Sequence, residues 1–140
     1  MIEVVVTNLL HPDAMKVRKE VFVEEQGFHD EFDDIDNMAD HYLLYVDGEI
    51  AGCCRVFPSN EKGKYTLGRL AIRKQYRGKS YGSLIMSKVE DWLKNNKIRT
   101  LELSAQVRVR SFYESLGYVA SGREYLDENC PHIHMEKNVL

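Results

Sequence analysis

The sequence has few of the features that mark secreted, membrane or nucleic-acid-binding chains. Its three cysteines, two of them adjacent, do not form the disulfide framework of a secreted domain. No apolar run approaches the length of a membrane span, and the amino terminus does not have a signal-peptide pattern. The formal net charge of -3 argues against a general nucleic-acid binder, which would usually be basic. We therefore expect a cytoplasmic protein that binds neither membrane nor nucleic acid.

The chain also has no internal repeat, no low-complexity tract and no convincing linker. Its 140 residues suit one domain with one core, and hydrophobic residues make up 44% of them, which is enough for a packed interior. We therefore predict a single domain over residues 1–140.

The apolar residues alternate in some segments and recur at helical spacing in others, which predicts both strands and helices. Strands are predicted at residues 2–7, 42–46, 49–57, 65–72, 99–105 and 133–137, with another beginning at 118–120. Helices are predicted at residues 14–25, from the turn at 75–83 to about 96, and at 109–116. Short hairpins make the early strands antiparallel neighbours, whereas a helical crossover favours a parallel pair. The predicted fold is α/β (α+β), a mixed central sheet with helices on both faces.

The most informative stretch is the basic, glycine-containing turn at residues 75–83, between a predicted strand and a helix. The first amides of a helix lack internal partners and carry partial positive charge, which suits a phosphate. Gly78 and Gly82 let the backbone approach a bulky anion. Four basic residues add positive charge around the turn: Arg73, Lys74, Arg77 and Lys79. From the turn alone, a basic surface turn that only starts a helix is an equally good interpretation.

A second motif is the short helix predicted at residues 109–116, which is stopped by Gly117. Phe112 and Leu116 are four residues apart, and we interpret Phe112 as a core residue. Tyr113 is offset by about 100° on the helix, so its ring can have a different environment. A tyrosine hydroxyl that reaches a cleft can donate a proton or a hydrogen bond.

Taken together, these motifs resemble the GCN5-related N-acetyltransferases, the GNAT superfamily. The resemblance rests on Leu70-Ala71-Ile72, on Gln75, Gly78, Ser80 and Gly82 in the turn, and on Phe112, Tyr113, Gly117 and Tyr118. It covers nearly the whole chain and extends to the predicted strand order. Within the superfamily, the chain is most similar to the small bacterial group that includes ElaA and YjcF. This similarity to the ElaA and YjcF group rests on residues 21–26, Ala105-Gln106 and 128–135.

The resemblance implies a site for acetyl-CoA. Backbone groups of Leu70, Ala71 and Ile72 would align the pantetheine arm and the acetyl carbonyl. The diphosphate would lie on the turn residues Arg77, Gly78, Lys79, Ser80, Tyr81, Gly82 and Ser83. The family prefers Gly or Ala where this chain has Ser80, and it often has Asn where this chain has Gln106, which is expected near the pantetheine. Phe112 is also expected at the cofactor.

The expected reaction is direct transfer of an acetyl group to a primary amine of a small molecule or to an exposed amino group. The resemblance places Tyr113 near the cofactor sulfur, where its hydroxyl would act as general acid. A base, or a chain of water molecules, must take a proton from the incoming ammonium. The strand before the turn, at residues 66–69, has no carboxylate. The base is therefore unassigned, with four candidates: His41, Glu102, Glu128 and His132.

The acidic loop at residues 28–41 allows two interpretations. We favour a solvated loop whose charges, at Asp30 to Asp40, offset the basic turn, over a wall that attracts a cationic amine. Arg55 stands on an otherwise apolar strand and would pair with an acid of this loop or bind an acidic substrate group. His41 would lie at the cleft edge or cap its strand. His132 and His134 share one strand face, but without a third clustered ligand we expect no metal.

Two other functions use the same features. One is a non-catalytic acyl-CoA-binding or sensing module on the same fold, and the other is a nucleotide-binding interaction domain that uses the turn. The sequence does not identify the acetyl acceptor. An exposed C-terminal strand would be able to support a homodimer.

Overall fold

The computed structural model describes residues 1–29 and 32–140. The strands are β1 (Ile2–Thr7), β2 (Asp40–Val46), β3 (Glu49–Pro58), β4 (Lys64–Ile72), β5 (Thr100–Gln106), β6 (Val119–Asp127) and β7 (Cys130–Asn138). The α-helices are α1 (Pro12–Arg18), α2 (Tyr81–Asn95) and α3 (Arg110–Ser115). Within the described residues, the seven strands form one mixed sheet in the order β1-β2-β3-β4-β5-β7-β6. The predicted fold class is therefore confirmed.

Tight turns hold the antiparallel pairs in register. β2 and β3 are joined by Asp47 and Gly48, with φ angles of 51° and 84°. β6 and β7 are joined by Glu128 and Asn129, with φ angles of 50° and 65°. Two consecutive left-handed residues match the twist of a two-residue hairpin. The predicted Asp47–Gly48 hairpin is therefore confirmed.

The first helix changes type along its length. It begins after His11, whose Nδ1 accepts a hydrogen bond from the Asp13 amide at 3.0 Å. After α1 the chain continues as a π-helical segment, Lys19–Glu25, and the Gln26 amide donates to the Val21 carbonyl at 3.2 Å. The apolar spacing predicted one helix over residues 14–25, and the change to a wider turn was not predicted.

Helices cover both faces of the sheet within residues 1–57 and 67–89. Ala14 and Val17 of α1 belong to the same buried cluster as Cys53 of β3. Ile85 of α2 lies beside Gly52, where an added Cβ would be 3.5 Å from its side chain. Because successive residues of a strand point to opposite faces, α1 and this part of α2 lie on opposite sides of the sheet.

The chain divides into two compact units. The first unit consists of residues 1–57 and 67–89, and the second of residues 58–66 and 90–140. The single domain expected over residues 1–140 stays a prediction. Every helix within residues 1–29 and 32–140 is too short or too polar to cross a bilayer.

Candidate active site

The turn between β4 and α2 has a left-handed backbone at two positions. Gly78 has a φ of 77° and Ser80 a φ of 64°. The Leu84 amide donates to the Ser80 carbonyl at 3.1 Å, and α2 begins at the next residue, Tyr81. Gly82 already belongs to α2, so it has no unusual torsion angle, and its only special feature is that it has no side chain. The turn therefore presents a helix start, where amides without internal acceptors and partial positive charge coincide.

Two of the four basic residues around the turn are neutralised by carboxylates. Arg73 Nε donates to Glu20 Oε2 at 2.8 Å. Arg77 donates to both carboxylate oxygens of Glu25, at 2.8 and 2.9 Å. The expectation that all four residues add net positive charge is therefore wrong for Arg73 and Arg77. The other two, Lys74 and Lys79, have exposed side chains.

The π-helical segment explains why both acidic partners reach the turn. Hydrogen bonds of a π-helix join residues five apart, which is the spacing of Glu20 and Glu25. In an α-helix this spacing would separate the two side chains by about 140°. The sequence pattern predicted an ordinary helix, so it missed these pairs.

The β4 residues before the turn follow an irregularity in the strand. Arg69 has a φ of 55°, and a left-handed residue inside a strand turns its peptide groups away from the regular ladder. Of the three predicted contact residues, Ala71 is buried, while Leu70 and Ile72 are half-buried. The Ile72 carbonyl accepts a hydrogen bond from Arg77 Nε at 2.8 Å, so this oxygen already has a protein donor.

Four charged side chains form a chain of ion pairs in the first unit. Asp36 Oδ1 accepts from Arg18 Nη1 at 2.8 Å and from Arg55 Nη1 at 2.9 Å. The same Arg55 nitrogen donates to Asp33 Oδ1 at 2.7 Å. Arg18, Asp36 and Arg55 are 1%, 2% and 4% exposed. Of the two roles predicted for Arg55, pairing with an acid of the loop is therefore confirmed.

This arrangement corrects the interpretation of the acidic loop. The charges of Asp33 and Asp36 offset two buried arginines rather than the basic turn. His41 is 1% exposed, and its Nε2 donates to the Asp36 carbonyl at 2.9 Å, so it does not lie at a cleft edge. Asp30 and Glu31 lie outside the described residues.

Acid should destabilise the protein through Asp36. Burial by itself raises the pKa of this carboxyl, but the hydrogen bonds from Arg18 and Arg55 outweigh it and lower the pKa from 3.8 to about 2. A pKa lowered by folding adds stability above pH 3.8, which is lost as the pH falls towards 2. The lowered pKa of Asp36 contributes about 2 kcal/mol to the free energy of unfolding at neutral pH. Urea unfolding between pH 6 and pH 2.5 should show that the free energy of unfolding falls less steeply with pH in Asp36→Asn than in the wild type. Equal slopes would contradict the assignment.

The aromatic residues of α3 pack in a different order from the one predicted. Tyr113 is 8% exposed, and its ring lies 5.0 Å from the Phe112 ring and 6.0 Å from the Tyr118 ring, between centroids. Phe112 and Leu116 are only half-buried. The interpretation of Phe112 as the core residue is therefore wrong, because the helix turns Tyr113 inward instead.

Gln106 ends β5 in the second unit. Its Oε1 accepts a hydrogen bond from Arg108 Nε at 3.0 Å. Across the sheet it lies directly opposite His132 of β7. The amide is therefore held by a neighbour, and a strand pair brings a buried histidine to the same face.

The candidate bases differ in their surroundings. His41 belongs to the buried network of the first unit. Glu128 is exposed in the β6–β7 turn. His132 is 8% exposed, and its Nδ1 lies 2.8 Å from the Cys130 carbonyl oxygen. Glu102 is half-buried on β5, and its carboxylate lies 3.6 Å from His134 Nε2.

Glu102 is part of a cluster that the sequence pattern did not reveal. His134 Nε2 is 3.1 Å from Glu136 Oε2, and the donor atoms of Glu102, His134 and Glu136 all lie within 4.8 Å of one another. Lys64 Nζ is 3.2 Å from the same Glu136 oxygen and 2.8 Å from Glu61. Lys64 already pairs with the Glu136 carboxylate, so we assign this part of the cluster to ion pairing. The sequence missed it because the register of β5 and β7 decides which residues meet.

The sheet order agrees with the fold that the resemblance implies, and the match to known proteins shows the family. The model of the acetyltransferase (GNAT) domain family matches residues 9–139. The chain belongs to this family of N-acetyltransferases, whose cosubstrate is an acyl-CoA.

Several relatives support the resemblance to the ElaA and YjcF group. The Bacillus subtilis N-acetyltransferase YjcF is 33% identical, over 90% of this chain and 91% of that protein. ElaA of Escherichia coli is 28% identical, over 90% of this chain and 86% of ElaA. The ElaA crystal structure matches with a TM-score of 0.87, at 25% identity, over 99% of this chain and 100% of ElaA. A Lactobacillus plantarum crystal structure matches with a TM-score of 0.90, at 25% identity, over 99% of both chains.

Proposed function

We propose that this protein transfers the acetyl group of acetyl-CoA to a primary amine of a small molecule or to an exposed amino group. The observation that carries the proposal is the turn from Arg77 to Ser83. Left-handed Gly78 and Ser80 lead directly into the 15-residue α2. Amides at a helix start, together with the helix dipole, suit the diphosphate of a CoA ester.

The residues on either side of the turn complete the proposed cofactor site. Backbone groups of Leu70, Ala71 and Ile72 align the pantetheine arm and the thioester carbonyl. The left-handed Arg69 supports this, because an irregular strand leaves peptide groups outside the regular ladder, where a ligand can bond to them. Gln106 and Phe112 are assigned to the pantetheine side of the cofactor.

The proposed reaction is direct acyl transfer. The neutral amine attacks the thioester carbonyl carbon, and a backbone amide of the strand at residues 70–72 stabilises the oxyanion. The carbon–sulfur bond then breaks, and the Tyr113 hydroxyl donates its proton to the departing thiolate. The burial of the Tyr113 ring supports this role, since packing against Phe112 and Tyr118 holds the hydroxyl in one place.

Calorimetry with acetyl-CoA, CoA and ATP tests the cofactor site. Acetyl-CoA and CoA should bind, and Lys79→Glu should weaken both about tenfold, because it removes a charged donor beside the diphosphate. Lys88→Glu, an equal charge reversal at an exposed position of α2, is the matched control and should bind like the wild type. Binding of ATP alone would favour the nucleotide-binding domain and refute the proposal.

An amine panel that follows the release of free CoA tests the transfer. Turnover with at least one small amine or amino-terminal peptide is expected. Binding of acetyl-CoA without turnover of any amine would favour the non-catalytic acyl-CoA sensor on the same fold.

A further inference from the structure

We infer that His132 is the general base that takes the proton from the incoming ammonium; this inference rests on the proposed function. His132 is one of two histidines of the second unit, and it is the more buried of them, at 8% exposed. Its Nδ1 lies 2.8 Å from the Cys130 carbonyl oxygen. A carbonyl oxygen only accepts, so Nδ1 carries the hydrogen. In the neutral ring, Nε2 then holds the lone pair that a base needs.

The strand register places this ring beside the proposed pantetheine site. His132 is paired with Gln106 on β5 and with Tyr125 on β6. Side chains of directly opposed residues lie on the same face, with Cβ atoms about 5 Å apart. The Tyr125 ring also stacks on the imidazole, at 6.0 Å between centroids and 23° between planes. The imidazole is therefore held by its carbonyl partner and by the Tyr125 ring, and it lies on the same face of the sheet as Gln106.

The charged and titratable groups near the ring come from β5, β6 and β7. On the β5 side, the Arg108 guanidinium is bonded to Gln106, the residue opposite His132. The β6 side presents the Tyr125 phenol, and β7 itself presents the Cys130 thiol and His134. The carboxylates that follow on this face, Glu102 and Glu136, lie beside His134 Nε2.

The contacts and exposure of the other candidate side chains distinguish them from His132. His41 uses its Nε2 as a donor to Asp36 and is 1% exposed. His134 Nε2 lies between two carboxylates. Glu128 is exposed in a turn, away from any strand pairing. Only His132, within residues 1–29 and 32–140, combines burial, a defined tautomer and a position opposite Gln106.

The proton balance of the proposed step is complete. The ammonium gives one proton to His132 Nε2, and the amine lone pair then forms the bond to the carbonyl carbon. When the carbon–sulfur bond breaks, Tyr113 protonates the thiolate. The nitrogen of the new amide loses its second proton to the Tyr113 phenolate through water, and the imidazolium releases its proton to solvent. One proton is released for each amide and each CoA thiol formed.

His132→Asn is the sharpest variant, because the asparagine amide keeps a donor for the Cys130 carbonyl and removes the base. With an amine that the wild type acetylates, we expect kcat to fall at least about a hundredfold. The acid limb of the pH profile of kcat should disappear, while the Kd for acetyl-CoA stays within about twofold. His134→Asn, at the next position on the same face, should keep both the rate and the acid limb.

The outcomes distinguish a failure of this inference from a failure of the proposed function on which it rests. A His132→Asn protein with wild-type turnover and an unchanged acid limb overturns the inference and leaves the transferase intact. A wild type that acetylates no amine overturns both. If the variant does not fold, nitrogen NMR of the histidine rings in the wild type decides. A hydrogen on Nδ1 of His132 supports the base, and a hydrogen on Nε2 of the neutral ring refutes it.

Discussion

Asp36→Asn should lower the free energy of unfolding by about 3 kcal/mol, a large part of the stability of a small protein. The substitution keeps the shape of the side chain and removes its charge. Arg55, 4% exposed, would keep the carboxylate of Asp33, whereas Arg18, 1% exposed, would lose the carboxylate of Asp36. Removing one member of a buried ion network is costly because the charges that remain are far from water.

Urea unfolding at pH 7 measures this loss as a lower midpoint. Asp34→Asn is the matched control, since Asp34 and Asp36 belong to one 3₁₀ helix, Asp34–Asn37, and Asp34 is exposed. The control should unfold within about 0.5 kcal/mol of the wild type. Equal midpoints for the two variants would mean that the network does not stabilise the fold.

Tyr113→Phe should lower kcat by about a hundredfold or more and leave the Kd for acetyl-CoA unchanged. In the proposed reaction the hydroxyl acts only when negative charge develops on the sulfur, so it would contribute to the transition state and not to cofactor binding. The buried ring keeps its contacts with Phe112 and Tyr118 in the variant. Steady-state kinetics with the amine found in the panel, together with calorimetry, separates the two quantities.

Tyr118→Phe is the control for loss of a hydroxyl in the same aromatic cluster. The Tyr118 hydroxyl donates to Glu90 at 2.8 Å, so its removal should lower stability by about 1 kcal/mol and leave kcat unchanged. A Tyr113→Phe protein with wild-type kcat would refute the general acid, and the thiolate would then leave without protein help.

Features that depend on neighbouring residues could be predicted from the sequence. Asp47 and Gly48 suit a two-residue hairpin, and the structure has it. The glycine turn and the start of α2 follow from Gly78 and from an amphipathic run after it. The antiparallel pairing of β2 with β3 also followed from their short hairpin, whereas the place of β7 between β5 and β6 was not predicted. The predicted features are local preferences of backbone and side-chain pattern.

Features that depend on distant partners could not be predicted in the same way. Arg77 and Glu25 are 52 residues apart in the chain, and their pairing needs the π-helical segment. The inward turn of Tyr113, rather than Phe112, is decided by its packing against Tyr118. No spacing rule in the sequence distinguishes these outcomes.

The family, the mixed sheet and the position of the glycine turn could be read from the sequence alone, because each is encoded by residues that are close together. The ion pairs of Arg73 and Arg77 beside that turn, and the buried ion pairs of Arg55, became evident only in the folded protein. The fold also placed His132 opposite Gln106. The physical reason is that strand register and helix phase bring together side chains from distant parts of the chain, where burial makes each ion pair and hydrogen bond matter most.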